Sequence, residues 1–283
     1  MRNISIIGTV GVPANYGGFE SLVENIIGYN SLDDIHYTVY CSAKGYPHRQ
    51  SVYKNADLKY VPLDANGSQS ILYDIISLIK ATKKSDVVLI LGVSGCCFLP
   101  IYRLFSKKRL IINIDGLEHR REKWGKYAKA FLKFSEKMAV KHADVVVADN
   151  KGIQDYVKKE YRTETELIAY GGDHVLCDIT DVEEEILEKY GLKNISYSFS
   201  LCRIEPENNV HVILEAFKAS GKKLFFVGNW NRSPYGKSLL EKYAKYGNIH
   251  LLSPIYDVKT LNVLRGHCSF YIHGHSAGGT NPS

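Results

Sequence analysis

The chain has 283 residues, a formal net charge of +6 and 20 tyrosines. Its length exceeds what one small core needs and suits two α/β domains. The six cysteines, Cys41, Cys96, Cys97, Cys177, Cys202 and Cys268, include one adjacent pair and no CxxC spacing, which excludes a zinc knuckle and a paired disulfide framework and fits small buried residues in a reducing compartment.

The amino terminus enters a strand pattern at once, with no basic leader ahead of a long apolar run, and no apolar stretch reaches about 18 residues. Neither a secretory signal nor a spanning helix is expected. The expectation is a cytoplasmic protein, or one attached peripherally to the inner face of the plasma membrane. The positive charge suits anionic partners, although charge alone does not separate a nucleotide from a lipid headgroup or a nucleic acid.

Residues 4–7 form the first β-branched run. A glycine-rich loop, Gly8-Thr9-Val10-Gly11-Val12-Pro13-Ala14-Asn15-Tyr16-Gly17-Gly18-Phe19-Glu20, joins it to residues 21–27, which are apolar at helical spacing. In an α/β sheet such a loop sits at the carboxyl end of the first strand, where helix-terminal N–H groups and close backbone approach favour a phosphate or a polar sugar. The glycines do not spell GxGxxG, the second strand ends Val39-Tyr40-Cys41-Ser42-Ala43-Lys44 without the acid of a dinucleotide site, and no Gly-Lys-Ser/Thr follows. Nicotinamide and P-loop readings both lose support. Any one glycine here is equally a turn residue, but clustering at this junction points to ligand contact.

Further β-branched runs follow at residues 37–41, 58–62, 87–91, 110–114, 145–148 and 166–169. The segments between several of them are long enough for crossover helices, which predicts a mostly parallel sheet covered on both faces. Directly after residues 110–114 comes Asp115-Gly116-Leu117-Glu118-His119-Arg120-Arg121. Two carboxylates, an imidazole and two guanidinium groups suit the holding of hydroxyls, proton transfer and the offsetting of anionic charge. The plainer reading is a helix start, with Asp115 as cap and Glu118 as its capping-box partner. The helix expected through Ala143 is two-faced, with Lys123, Lys126, Lys129, Lys133, Lys137 and Lys141 on one arc and Trp124, Tyr127, Phe131, Phe134 and Met138 on the adjoining one. The plainer reading packs these aromatics on the sheet and shows the lysines to water; the sharper one rests the lysines on anionic lipid.

A first Rossmann-like domain is expected over residues 1–172 and a second over 173–283. In the second, runs at 197–202, 223–227, 249–252 and 270–273 alternate with helical patterns at 208–219, 235–246 and 257–266. About four strands are fewer than such a sheet usually holds, so an incomplete second domain is expected. Arg203, in Arg203-Ile204-Glu205-Pro206-Glu207-Asn208-Asn209, follows a strand and suits a bidentate grip on a diphosphate, the alternative being an interdomain ion pair. His273-Gly274-His275 lacks a third ligand at a recognisable metal spacing, and alternation on a strand puts both rings on one face anyway. Gly278-Gly279-Thr280-Asn281-Pro282-Ser283 offers N–H groups and small polar side chains at a helix start, suited to phosphate or sugar hydroxyls.

Taken in order, the motifs at 8–20, 115–118, 203–209 and 278–283 resemble bacterial rhamnosyltransferases of the GT-B type, β-1,4-rhamnosyltransferase-like members of the large retaining glycosyltransferase family. The resemblance implies two doubly wound parallel-sheet domains facing a cleft, the acceptor held by the first and a nucleotide sugar such as dTDP-rhamnose by the second. It also implies transfer to a lipid-linked saccharide in capsule, exopolysaccharide or O-antigen assembly, with no metal, no further cofactor and no nucleic-acid partner. By motif position Arg203 would neutralise the leaving diphosphate, Gly17 and Gly18 would approach donor phosphate or sugar, and Gly279, Thr280 and Asn281 would meet the donor sugar. Asp115, Glu118 and His119 would line the acceptor side. Asn208 stands near the lysine with which the wider family shares the diphosphate, and His119 stands where this branch tends to carry tryptophan. The family's ribose-binding glutamate would follow Ser283, so a C-terminally truncated chain is expected. Two other readings are a non-catalytic remnant that binds acceptor or a partner, and a nucleotide-sugar epimerase of similar architecture.

Overall fold

The computed structural model describes residues 2–14, 17–29, 34–121, 124–172 and 176–275. The chain divides into two compact units, Met1–Arg120 with Trp124–Ala169, and Arg121–Lys123 with Tyr170–Ser283.

In the first unit the β-branched runs become β1 (Arg2–Ile7), β2 (Ile35–Ser42), β3 (Val52–Tyr53), β4 (Ala56–Val61), β5 (Val87–Leu91), β6 (Arg109–Asn113), β7 (Val145–Ala148) and β8 (Glu166–Leu167). They form one sheet in the order β3-β4-β2-β1-β5-β6-β7-β8. Every pairing is parallel except that of the short β3 with β4, a strand absent from the sequence-based reading. The crossovers carry α1 (Gly18–Gly28), α2 (Ser70–Thr82), α3 (Leu99–Phe105), α4 (Lys126–His142) and α5 (Lys151–Tyr161). Two adjacent residues of β1 show why both faces are covered. Ile6 points into a cluster with Val23 and Ile27 of α1, and Ile7 points the other way, into one that holds Tyr73 of α2 and Leu99 and Tyr102 of α3. Each such side chain contributes about 1.5–3 kcal/mol by leaving water.

The second unit contains α6 (Glu183–Lys189), β9 (Ser198–Leu201), α7 (Val210–Ser220), β10 (Leu224–Val227), α8 (Pro234–Tyr243), β11 (Ile249–Leu252), α9 (Val258–Gly266) and β12 (Phe270–Tyr271). Its parallel sheet has the order β11-β10-β9-β12. Local chemistry sets the helix ends. Ser233 accepts from the Gly236 N–H ahead of Pro234, Asp257 accepts from the Thr260 N–H, and α7 stops at Gly221 with φ 67°.

Two expectations change at α4. Asp115 does not cap a helix: its backbone is left-handed, with φ 59°, and the residues after it make a short 3-10 turn, Glu118–Arg120, before α4 begins behind Gly125. Nor does the aromatic arc form the buried side of the helix: Trp124, Phe131 and Met138 are half-buried. The inward side of α4 is Leu132, Ser135, Glu136, Ala139 and Val140, whereas Tyr127 and Phe134 are exposed. Two polar residues take core positions because they have partners there. Ser135 donates to the Val93 carbonyl at 2.5 Å and receives the Cys97 N–H at 2.8 Å, and Glu136 collects three side chains described below.

Candidate functional site

In an open parallel sheet, ligands bind beyond the carboxyl ends of the strands where the strand order reverses. In the first sheet that point lies between β1 and β5, in the second between β9 and β12. The glycine-rich loop follows β1 and Arg203 follows β9, so both fall at these points.

The loop after β1 is held from several sides. Glu20 in the first turn of α1 is buried, and its Oε1 accepts the Thr9 hydroxyl at 2.7 Å and the Val10 N–H at 2.8 Å. One turn later Glu24 accepts the Ala14 N–H at 2.7 Å and the Tyr53 hydroxyl at 2.7 Å, with Lys54 at 3.1 Å. Burial pushes the Glu24 pKa up, but those partners outweigh it and the net direction is down. The Tyr46 hydroxyl donates to the Pro13 carbonyl at 2.8 Å, and that of Tyr73 reaches the Thr9 carbonyl at 2.9 Å.

The four glycines divide by role. Gly8 has φ 86° and a Cβ there would lie 2.1 Å from the Leu91 carbonyl oxygen; Gly11 has φ 131° and a Cβ would lie 2.6 Å from Cys41 Sγ. These two are required by the fold. Gly17 is extended and a Cβ on it would meet only Glu20 Oε2, at 3.3 Å, while one on Gly18 would meet nothing within 4 Å. Among the described residues, the space beside the start of α1 is therefore open.

Past β6, Asp115 donates its N–H to Asn113 Oδ1 at 2.9 Å, which holds a left-handed conformation costing a non-glycine residue about 1 kcal/mol or more. Glu118 accepts the Trp124 indole N–H at 3.0 Å. His119 Nδ1 lies 2.9 Å from Glu136 Oε2, and the other oxygen of Glu136 accepts the hydroxyls of Tyr156 at 2.7 Å and Tyr161 at 2.5 Å. A carboxyl group fixed in this way holds the imidazole by Nδ1 and sets the orientation of the ring. Sequence reading missed Glu20, Glu24 and Glu136. The last had a signal, being the sole acid in a lysine-rich helix.

In the second unit Arg203 is exposed and its Nη1 stands 4.0 Å from Glu205. Asn208 is buried and donates its amide to the Arg203 carbonyl at 2.7 Å, so it shapes the loop that carries the arginine. Arg121, which groups with this unit, pairs with Glu207. Beyond β12 the rings of His273 and His275 stack with centroids 4.1 Å apart, and the Gly274 carbonyl accepts from Asn209 at 2.8 Å, which joins the two loops at the switch point. Burial, with His273, Arg203 and Arg121 adding to it, pushes the His275 pKa down to about 4, so this ring is neutral. Gly279, Thr280 and Asn281 lie outside the described residues. Among the described residues, no group of three or more His, Cys, Asp or Glu is disposed to hold a metal ion, and no helix is long and apolar enough to cross a membrane.

Solved structures with the same architecture include the sucrose-phosphate synthase of Thermosynechococcus elongatus, with TM-score 0.76 and 13% identity, matching 96% of this chain and 75% of that one. HepE of Anabaena in complex with UDP matches with TM-score 0.65 and 12% identity over 96% of this chain and 74% of its own. The UDP-GlcNAc 2-epimerase of Neisseria meningitidis bound to UDP-GlcNAc matches with TM-score 0.55 and 15% identity over 93% of this chain and 75% of its own. These likenesses show the fold, the α/β parallel-sheet architecture of GT-B glycosyltransferases and such epimerases. Among curated proteins none matches the chain in sequence. A family model for a domain of unknown function, DUF1972, matches residues 1–173, and the chain therefore belongs to the DUF1972 family.

Proposed function

We propose that the chain is a glycosyltransferase that moves a hexosyl group, rhamnosyl by its motifs, from a nucleotide sugar such as dTDP-rhamnose to a lipid-linked saccharide in cell-surface polysaccharide synthesis. The observation that carries this reading is the different charged group that the loop at each switch point has to offer. The first loop is backed by the carboxylates of Glu20 and Glu24, while the second presents the exposed guanidinium of Arg203 beside a neutral His275. A carboxylate-backed loop suits neutral hydroxyls, and a guanidinium suits a diphosphate.

In the transfer, the bond from the anomeric carbon to the diphosphate breaks with its electron pair going to the diphosphate, where Arg203 offsets the developing charge. The acceptor hydroxyl oxygen bonds the anomeric carbon and its proton is released. Asp115, Glu118 and His119 hold the acceptor hydroxyls in this reading, with His119 oriented by Glu136. Gly17 and Gly18 leave room for a sugar, and Gly279, Thr280 and Asn281 belong to the donor side by motif. No resident metal or cofactor enters the reaction as proposed, and the surroundings are the cytoplasmic face of the membrane.

Calorimetry with a panel of nucleotide sugars, followed by transfer assays with lipid-linked saccharides, tests the reading. One nucleotide sugar should bind well above the corresponding free sugar and be consumed only when acceptor is present. Conversion of a nucleotide sugar to its epimer without acceptor would instead establish the second reading, to which the epimerase structures give support. Binding of acceptor with no affinity for any nucleotide sugar would replace both with a binding protein.

A further inference from the structure

Helix α3 turns Leu99 and Tyr102 inward and leaves Ile101, Leu104 and Phe105, spaced i, i+3, i+4, exposed by 53, 85 and 62%. On α4, opposite the buried side, Tyr127 and Phe134 are exposed by 95 and 50%. The two helices are neighbours: Arg103 of α3 donates to the His142 carbonyl of α4 through Nε at 3.0 Å and Nη2 at 2.7 Å. They belong to successive crossovers stepping the same way across β5, β6 and β7, and right-handed crossovers of that kind place both helices on one side of the sheet. Five large apolar side chains therefore look outward from one helical layer, Ile101, Leu104 and Phe105 on α3 beside the end of α4, and Tyr127 and Phe134 along α4 itself.

The charge around them is mostly of one sign. Residues 99–109 and 126–143 contain nine lysines and arginines and a single acid, Glu136, which is buried under His119, Tyr156 and Tyr161. Two further acids border the face and both are paired: Asp144 takes Arg103 and the Leu110 N–H, both at 2.7 Å, and Glu160 of α5 lies 2.9 Å from Lys133. Lys107, Lys126, Lys137 and Lys141 are exposed. A second copy of the chain, meeting this face symmetrically, would bring those lysines against themselves. An anionic bilayer accepts both parts, apolar side chains at the acyl boundary and lysines among the headgroups.

We infer that the α3–α4 face docks the protein on an anionic lipid surface, with Leu104, Phe105 and Tyr127 inserted and Lys137 and Lys141 among the headgroups. This deepens the proposed function and rests on it only in placing a lipid-linked acceptor at the same surface. The contact is hydrophobic first and electrostatic second, which differs from a lysine stripe lying on the membrane alone.

Flotation with vesicles of phosphatidylcholine, and of phosphatidylcholine mixed with phosphatidylglycerol, tests it. Wild type should bind the mixed vesicles at least tenfold more strongly at low salt, as about fivefold per headgroup-level lysine implies. Leu104→Ser with Phe105→Ser should lose about tenfold or more on both vesicles at unchanged melting temperature, and Lys137→Glu with Lys141→Glu should erase the preference for anionic lipid. Equal binding by wild type and the apolar double variant overturns the inference, as does concentration-dependent dimerisation that Leu104→Ser abolishes without any vesicle binding. Absent vesicle binding with intact nucleotide-sugar affinity removes the docking face and spares the transfer reading. Vesicle binding with no nucleotide-sugar affinity does the reverse.

Discussion

The loop after β1 and the loop after β9 hold equivalent places in their two sheets, yet they are tethered by different chemistry. In the first, buried and half-buried carboxylates one helical turn apart on α1 take the N–H groups of Val10 and Ala14. In the second, the neutral amide of Asn208 takes the carbonyl of Arg203 and leaves the guanidinium outward. The difference lies in what the tether leaves outward: carboxylates back the first loop, whereas in the second Glu207 is paired with Arg121 and the guanidinium of Arg203, 4.0 Å from Glu205, stays exposed. In the proposed reading, a helix start that would otherwise attract anions serves hydroxyls in the first unit.

Removing the first tether should have the largest effect. Glu20→Ala leaves the Thr9 hydroxyl and the Val10 N–H buried without a partner, and two lost charge-assisted bonds imply about 3–5 kcal/mol in denaturant unfolding. The same deletion at Asn208 strips one neutral bond and should cost only about 1–2 kcal/mol. Equal losses would show that the two tethers do not differ as described.

The next effect has the opposite sign. Asp74 of α2 lies buried near the end of β5, accepting among the described residues only the Gly95 N–H at 3.1 Å, and burial pushes its pKa up to about 8. A carboxyl raised in the folded state costs nothing while it is protonated in both states. The penalty grows as pH rises from the unfolded pKa near 4 toward about 8, then levels off. Asp74→Asn should therefore stabilise the protein by a few kcal/mol near pH 8 and hardly at all near pH 4. A melting-temperature gain that does not vary across that window would remove the assignment.

Arg203→Ala should weaken nucleotide-sugar binding by about 10- to 100-fold, the loss of a charge-assisted contact, with unfolding unaltered. Unchanged affinity in calorimetry would leave the second switch point without its distinguishing charge. Gly18→Ala should be the mildest in stability, within about 1 kcal/mol and on the stabilising side, since no described residue lies within 4 Å of the added methyl. A fall in turnover with that stability unchanged would show that the open space beside α1 is used by substrate, whereas full activity would assign Gly18 no part in the site.

Much of the layout was legible along the chain. The runs at residues 87–91 and 145–148 coincide with β5 and β7, and Arg203 falls just past β9, because an apolar β-branched run and the turn that ends it are local signals. The roles within the glycine loop were less so. Gly8 and Gly11 read the same as Gly17 and Gly18, and only the approach of Leu91 and Cys41, distant in sequence, separates the first pair from the second. At α4 periodicity showed two faces and could not say which was inward. Tyr127 and Phe134 are the larger apolar residues, yet Ser135 and Glu136 go inside, because Val93, Cys97, His119, Tyr156 and Tyr161 satisfy them there.

What the sequence determined by itself was the alternation of strands and helices, two parallel sheets and the loops where ligand chemistry gathers, all consequences of spacing within a dozen residues. Only the tertiary structure decided which side chains hold those loops, which charges are neutralised within the fold, and that the aromatic residues of α4 face outward. Those outcomes depend on partners brought together from far along the chain, and a polar group is buried or exposed according to whether such a partner is present.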